Sequence, residues 1–358
     1  MAWHVLSSTH FDLDRFARES EADSLPEHLL PQIVERLGAS LHMPDDDSVS
    51  ALDRFGALFY AAPQHWALAR RVYPLLNDGD SVYSSGCDAG VPLALMCALR
   101  HRDISFAIAF ADPTRIRTKI FGWIAVLLSL RLTAIVTTNH QIDLTLRSFG
   151  RRIAGVHAIE GQTDCRFFRP AVERSKNEPP LVASCGVERR DYLTMANALA
   201  DVDVQARVCF ESPNRTSKTR FTVPDPAPTN FDFGHFEFDE LRTLYQQADL
   251  VVLPLLENRY SAGLTTLFEA IACGAPVVVT RSPGTIDSLI DEGLIIGVPA
   301  GDAIALKTAV TELLADPQTA RVRAEAARTA IMDRYSATRF LDRLQGILVR
   351  PGQSLQSP

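Results

Sequence analysis

The chain has 358 residues, 46% of them hydrophobic and 22% charged, with a formal net charge of −7. That length exceeds one ordinary core and suits two domains of about 150–200 residues each, with the composition of a soluble globular protein. The negative balance excludes a whole-surface polyanion binder, so nucleic acid is not an expected partner.

Taken in order, the first half alternates between strand and helix. "WHVLSS" predicts a strand, and "PEHLLPQIVERLGASLHM" predicts a helix ending at Gly38 and then a second strand. "HWALARRVYPLL" reads as helix, "DSVYSSG" as strand and "AGVPLALMCALRHR" as helix. "ISFAIAFADP", "TRIRTKIFGWIAVLLSLR", "LTAIVTTN" and "HQIDLTLRSFG" continue as strand, helix, strand and helix. Such alternation favours a parallel sheet with helices on both faces.

"VERSKNEPP", Val172 to Pro180, breaks the pattern with charges and prolines, a linker composition. A second alternating set follows, from "PLVASCG" through "DYLTMANALAD", "QARVCFES", "FDELRTLYQQA", "DLVVLPL", "PVVVT", "TIDSLIDEG" and "IIGV". "DAIALKTAVTELLADP" and "QTARVRAEAARTAIMDRYSATRFLDRLQGILV" predict closing helices, and "PDPAPTNFDFG" a loop. The expected fold class is α/β, two doubly wound Rossmann-like domains facing each other across a cleft. Residues 1–171 form the first, on the acceptor side, and 172–335 the second, which binds the nucleotide. Residues 336–358 form a helix packing back on the first domain, and a tail.

The six cysteines (87, 97, 165, 185, 209 and 273) show no CxxC spacing and no neighbouring His pair. Reduced, mostly buried thiols of a cytosolic protein are expected, with no metal. The start "MAWHVLSSTHFDLD" has no basic segment before an apolar stretch, so no secretory leader is expected. The longest apolar run, Ile120 to Leu130, would reach only roughly 16 Å as a helix, half a bilayer core.

The stretch "SAGLTTLFEAIACGAPVVV", Ser261 to Val279, carries the chemistry. In open α/β sheets ligands sit beyond the carboxyl ends of strands, where helix N-termini point. Ser261 to Thr266 follow the strand "DLVVLPL" and open a helix there. Free N–H groups at a helix start bind phosphate. Gly263 lets the backbone approach, Thr265 and Thr266 add hydroxyls, and Glu269, one turn in, is placed to accept from vicinal ribose hydroxyls. A plain core helix whose Glu269 pairs with an arginine fits the same residues.

The run "LRTLYQQADLVVLPLLENRYSAGLTTLFEAIACGAPVVVTRSPG" resembles the carboxyl-terminal half of glycosyltransferase family 4. "GQTDCRFFRP" is similar to that family's Gly-x-Asp-x-x-x-Phe-x-Pro element, "SCGVERRDY" to its diphosphate-contacting segment, and "VPAGDAIAL" to its late Pro-x-Gly-Asp turn. The resemblance runs from Asn139 onward; before it only the strand–helix order agrees. It implies the GT-B fold and a retaining, metal-independent transfer from a nucleotide diphosphate sugar to an acceptor hydroxyl. It also implies Arg190, or its neighbour Arg189, on the departing diphosphate, Glu269 on the ribose, and Gly263, Leu264, Thr265 and Thr266 at the donor phosphates.

Three departures accompany the resemblance. Ser261 stands where the family has the first Glu of its pair. The strand end expected to carry a His reads "AFADPTR", with Ala111 or Asp112 there, and "STHFDLD" replaces the glycine-rich loop after the first strand. Asp112 either orients an acceptor hydroxyl and takes its proton, or caps the helix that follows it. Glu257, in the loop ahead of Ser261, either supplies the missing acid or faces solvent, and His10 is an acceptor-side candidate. These departures also admit a second class of function, a partner protein that keeps the nucleotide site and has lost transfer. The helix "TRIRTKIFGWIAVLLSLR" is basic at its start and apolar beyond Ile120, which reads as a buried helix or as an interfacial one serving a lipid-linked acceptor.

Overall fold

The computed structural model of the chain describes residues 2–45, 49–112, 115–127, 131–150, 153–174, 176–211, 224–283 and 287–349. It divides into two compact units. Residues up to Asp14, His28–Glu160 and residues from Leu341 on form the first, and Arg15–Glu27 with Gly161–Phe340 form the second. Among the described residues no helix is long and apolar enough to cross a membrane.

The elements of the amino-terminal half are β1 (Trp3–Leu6), α1 (Leu13–Glu21), α2 (Leu29–Leu37), β2 (Ser40–His42), α3 (Ala51–Ala57) and α4 (Pro63–Val72). They continue with β3 (Ser81–Ser84), α5 (Cys87–Leu99), β4 (Ser105–Ala109), α6 (Ile116–Leu127), β5 (Arg131–Val136), α7 (Asn139–Phe149) and β6 (Gly155–Ala158). The sheet order is β2-β1-β3-β4-β5-β6, and every pairing is parallel. A parallel sheet is covered on both faces, so its central strands and the helices packed over them bury apolar residues. α5 shows this: Ala89 to Leu95 are all buried.

The second half runs β7 (Leu181–Cys185), α8 (Tyr192–Leu199), β8 (Gln205–Glu211), β9 (Phe231–His235), α9 (Phe238–Gln247), β10 (Leu250–Leu253) and α10 (Leu264–Ala272). It closes with β11 (Val277–Arg281), α11 (Asp287–Asp291), β12 (Ile296–Pro299), α12 (Ala303–Ala315), α13 (Pro317–Arg334) and α14 (Ala337–Leu348). The order β12-β11-β10-β7-β8-β9 is again parallel. The chain winds outward in both directions from β7, so the topological switch lies between β7 and β10. Their carboxyl ends, Cys185 and Leu253, lead into the loops that carry Arg190 and Gly263, the position where such sheets hold ligands. The segment from Gly161 joins this unit through Phe167 and Phe168, both in its core, and through the Thr163 amide donating to the Tyr335 carbonyl.

One expectation needs correcting, and three elements add to those expected. "PDPAPTNFDFG" is not loop throughout: Phe231–His235 forms β9 on the sheet edge. Its Phe231 is buried and Asp232 exposed, an edge alternation that the preceding prolines obscured. α1, α3 and β6 were unforeseen because none carries a sustained apolar period. The closing helices α13 and α14 meet at Tyr335–Ser336. Of the two readings of the apolar helix α6, a wholly buried one does not hold: Ile116, Ile120 and Trp123 are exposed.

Candidate functional site

The site is built on the switch point of the second sheet. β7 ends at Cys185 and is followed by Gly186, whose φ is +99°. That glycine is required by a close approach as well as by its backbone. A Cβ there would lie 2.5 Å from Nη2 of Arg190 and 3.0 Å from its Cζ, so the guanidinium occupies the space a side chain would take.

Arg190 is buried, only 6% exposed. Its Nε donates to the Cys185 carbonyl at 2.7 Å, Nη1 to the Glu188 carbonyl at 2.9 Å, and Nη2 to Oγ1 of Thr266 at 3.1 Å. Its backbone bridges Leu255, on the loop after β10. Among the described residues no carboxylate lies within ion-pair distance of it. Buried cations are ordinarily paired, so this one is held by dipoles alone and keeps its charge available to an anion.

The anion's natural seat lies beside it. Gly263, with φ +82°, is the N-cap of α10, and no side chain caps the helix. The amides of its first turn are therefore not consumed by a local acceptor, and they carry the positive end of the helix dipole. A Cβ on Gly263 would lie 3.2 Å from Nη1 of Arg190. Thr266 is buried against Arg190, whereas Thr265 is exposed. The threonines thus divide their roles: one anchors the arginine, the other faces solvent. Gly274, with φ +80°, follows the end of the helix.

Glu269 lies one turn deeper on α10 and is 5% exposed. The Tyr245 hydroxyl approaches its Oε2 at 3.4 Å. Burial pushes its carboxyl up to about 8; the Tyr245 hydroxyl and, less strongly, Arg190 draw it down, and the Cys209 thiol pushes it up. Near neutral pH the carboxyl therefore largely holds its proton and leaves Arg190 unneutralised. Burial likewise drives the Cys185 thiol and the Tyr245 hydroxyl well above their ordinary values.

The other candidates fall into two sets. Arg189, in the left-handed region at φ +55°, donates from Nη2 to the Glu257 carbonyl at 2.6 Å and so tethers the two loops. Glu257 is exposed, Ser261 half-buried and Leu264 buried, all on the β10–α10 connection or the first position of α10. In the same loop Tyr260 donates to Oε1 of Glu188 at 3.0 Å. Asp112 and His10 belong to the first unit. Asp112 lies 3.7 Å from Nε of Arg115, and Nδ1 of the exposed His10 faces the Pro44 carbonyl at 3.2 Å.

Sequence reasoning missed three contributors. Gly186 could have been found, since a glycine closing a buried strand signals close approach. Tyr245 carried no signal: its place in "LRTLYQQ" reads as a core aromatic, which it also is. Asn258, 4% exposed, donates to the Leu256 carbonyl at 3.0 Å and shapes the loop ahead of α10.

Residues 216–316 match the family described as Glycosyl transferases group 1. Over 95 residues, 26% of this chain and 22% of the relative, the chain is 34% identical to a glycogen synthase of Mycobacterium tuberculosis. Over 103 residues, 27% of this chain and 26% of the relative, it is 34% identical to a GDP-mannose-dependent alpha-(1-6)-phosphatidylinositol monomannoside mannosyltransferase of Mycolicibacterium smegmatis. The chain thus spans about a quarter of the length of these curated relatives. Among solved structures, the sucrose-phosphate synthase of Thermosynechococcus elongatus superposes with a TM-score of 0.68 at 17% identity, covering 97% of this chain and 98% of that one. The Anabaena protein HepE, solved with UDP-glucose, gives 0.65 at 13% identity over 97% and 99%. At such identities the likeness shows the fold, two Rossmann-like units of the GT-B class.

Proposed function

We propose that this protein is a glycosyltransferase that moves a sugar from a nucleoside diphosphate donor to an acceptor hydroxyl. One observation carries the reading: a buried arginine that has no carboxylate partner among the described residues lies against the uncapped start of α10, at the switch point of a Rossmann-like sheet. That arrangement suits a dianionic leaving group, because a fixed cation and oriented amides stabilise charge that grows as the glycosidic bond breaks. Arg190 and the α10 amides take the role a metal plays in other transferases, so no metal is assigned. Glu269 is assigned to the ribose, and Arg189 to holding the loops. The family match and the glycosyltransferases among the relatives support the activity. The resemblance to glycosyltransferase family 4 supports retention of configuration, and Asp112 and His10 are assigned to the acceptor side from their places at a strand end and a loop of the first unit.

The similar proteins include a GDP-mannose-dependent transferase and a protein solved with UDP-glucose, so the base is a matter for experiment. A panel of UDP, GDP and ADP sugars offered to the purified protein, with release of the nucleoside diphosphate as readout, tests the proposal. Turnover of at least one donor, faster with an acceptor than with water, is expected. A second reading rests on Ser261 at the position of the expected acid and on the strand end at Ala111, whose carbonyl accepts from Nε2 of Gln141 at 2.7 Å. Under that reading the protein is a nucleotide binder without transfer. A thermal shift with a nucleotide but no turnover of any donor sugar would select it. No shift with any nucleotide defeats both.

A further inference from the structure

The first unit carries a helix built inside out. α3 is held to the body of the unit by Asp53, buried and paired with Arg70 at 2.9 Å, and by Gly56, where a Cβ would lie 2.6 Å from the Trp66 ring. Ser50 and Asp53 close its start as a capping box. The residues turned outward are Leu52, Phe55, Leu58 and Phe59, between 51% and 77% exposed, with the two phenylalanine rings edge to face at 5.3 Å. Surface helices of globular proteins place apolar groups inward and charges outward; here the inward anchor is an aspartate and the outward face is leucine and phenylalanine.

A second apolar stripe stands nearby. On α6, Ile116, Ile120 and Trp123 recur at one helical face and are 75%, 50% and 51% exposed, while Thr118 and Gly122 between them point inward. The Tyr60 hydroxyl meets Oγ1 of Thr118 at 3.5 Å, tying the end of the α3 turn to α6. Seven large apolar side chains, each half exposed or more, thus lie on two linked segments of one unit. Contiguous patches of that kind on soluble proteins mark interaction surfaces.

The charges around them choose the partner. Arg54 on α3 and Arg117 and Lys119 on α6 are exposed, and among the described residues they make no ion pair. Most of the nearby acids are committed elsewhere, Asp53 to Arg70, Asp45 to Arg71 at 3.2 Å and Asp112 beside Arg115 at 3.7 Å, which leaves the exposed Asp88 against three cations. This local cationic fringe stands out on a chain of net charge −7. In a two-fold contact with a second copy, the same surface would meet itself and the cations would oppose each other. An anionic bilayer satisfies both features, since leucine, phenylalanine and tryptophan enter the headgroup boundary and lysine and arginine face the phosphates. We infer that the α3–α6 face docks this protein on an anionic membrane surface, with Phe55, Phe59, Ile116 and Trp123 inserted and Arg54, Arg117 and Lys119 on the headgroups. This inference does not depend on sugar transfer.

Flotation of the full chain with vesicles tests it, using phosphatidylcholine alone against equal parts phosphatidylcholine and phosphatidylglycerol. The protein should float with the anionic vesicles, bind at least about tenfold more weakly to the zwitterionic ones, and release in high salt. Each cation contributes about fivefold at such a surface, so Arg117→Glu with Lys119→Glu should cut binding by an order of magnitude or more. Phe55→Ser with Trp123→Ser should abolish it, with the melting temperature and nucleotide-induced shift unchanged because both side chains are exposed. Vesicle-induced blue shift of tryptophan emission should disappear in Trp123→Phe. No flotation, equal flotation with both vesicles, or undiminished flotation of the serine variant overturns the inference. So does a dimer in sedimentation that the serine substitutions dissociate, which would assign the face to a second copy.

Discussion

Replacing Glu269 by Gln isolates the cost of one buried acid. Its carboxyl is raised from 4.5 to about 8 in the folded protein, chiefly by burial, so folding takes up a proton wherever the unfolded chain has lost it. The sign follows: relative stability from this group is complete below pH 4.5, is lost as pH rises from 4.5 toward 8, and falls no further above that. At 1.36 kcal/mol per unit the full loss is about 5 kcal/mol, a large share of a domain's stability. Glutamine keeps the shape and an acceptor for Tyr245 but does not ionise. The variant should therefore match the parent near pH 5 and exceed it by a few kcal/mol at pH 8.5, read by urea denaturation at the two pH values. The same variant should bind nucleoside diphosphate more weakly, since an amide in place of the acid alters the hydrogen bonds to the ribose, a loss of about 0.5–1.5 kcal/mol for a neutral pair. A parent–variant gap that stays constant from pH 5 to 8.5 would refute the buried-acid argument. Unchanged nucleotide affinity would remove Glu269 from the ribose site.

Arg190→Ala should lower kcat more than it raises KM for the donor, because leaving-group charge grows toward the transition state; equal, mild effects from Arg190→Ala and Arg189→Ala would show that this segment only shapes the loop. Gly186→Ala should destabilise the second unit by about 1–3 kcal/mol, through strain at φ +99° and the clash with Arg190, and should weaken nucleotide binding; a melting temperature equal to the parent's would contradict it. Glu257→Gln should reduce transfer about tenfold, roughly 1.4 kcal/mol, with nucleotide binding intact, if its exposed side chain supplies the acid missing at Ser261. Normal transfer by that variant would move sugar recognition away from this loop.

The sequence by itself determined the α/β alternation, the parallel sheets and the helix Leu264–Ala272. These rest on local period and on punctuation such as Gly38 and Gly274, which stand in left-handed backbone where the helices end. It also marked Gly263 and Thr266 at a helix start after a strand, and the family resemblance pointed to Arg190. Only the tertiary structure decided how they meet. Residues 190 and 266 are far apart in sequence and come to 3.1 Å because β7 and β10 pair at the switch point. Tyr245 reaches Glu269 for the same reason, through packing of α9 against α10 that no pattern along the chain encodes. Burial was likewise beyond the sequence: Glu269 is an ordinary acid in composition and a raised one only because core residues enclose it on every side. α6 shows the converse limit. Its run reads as a buried or an interfacial helix, and Ile116, Ile120 and Trp123 are exposed, because a helix's hydrophobicity states what it can bury and the neighbours it packs against decide which face is covered.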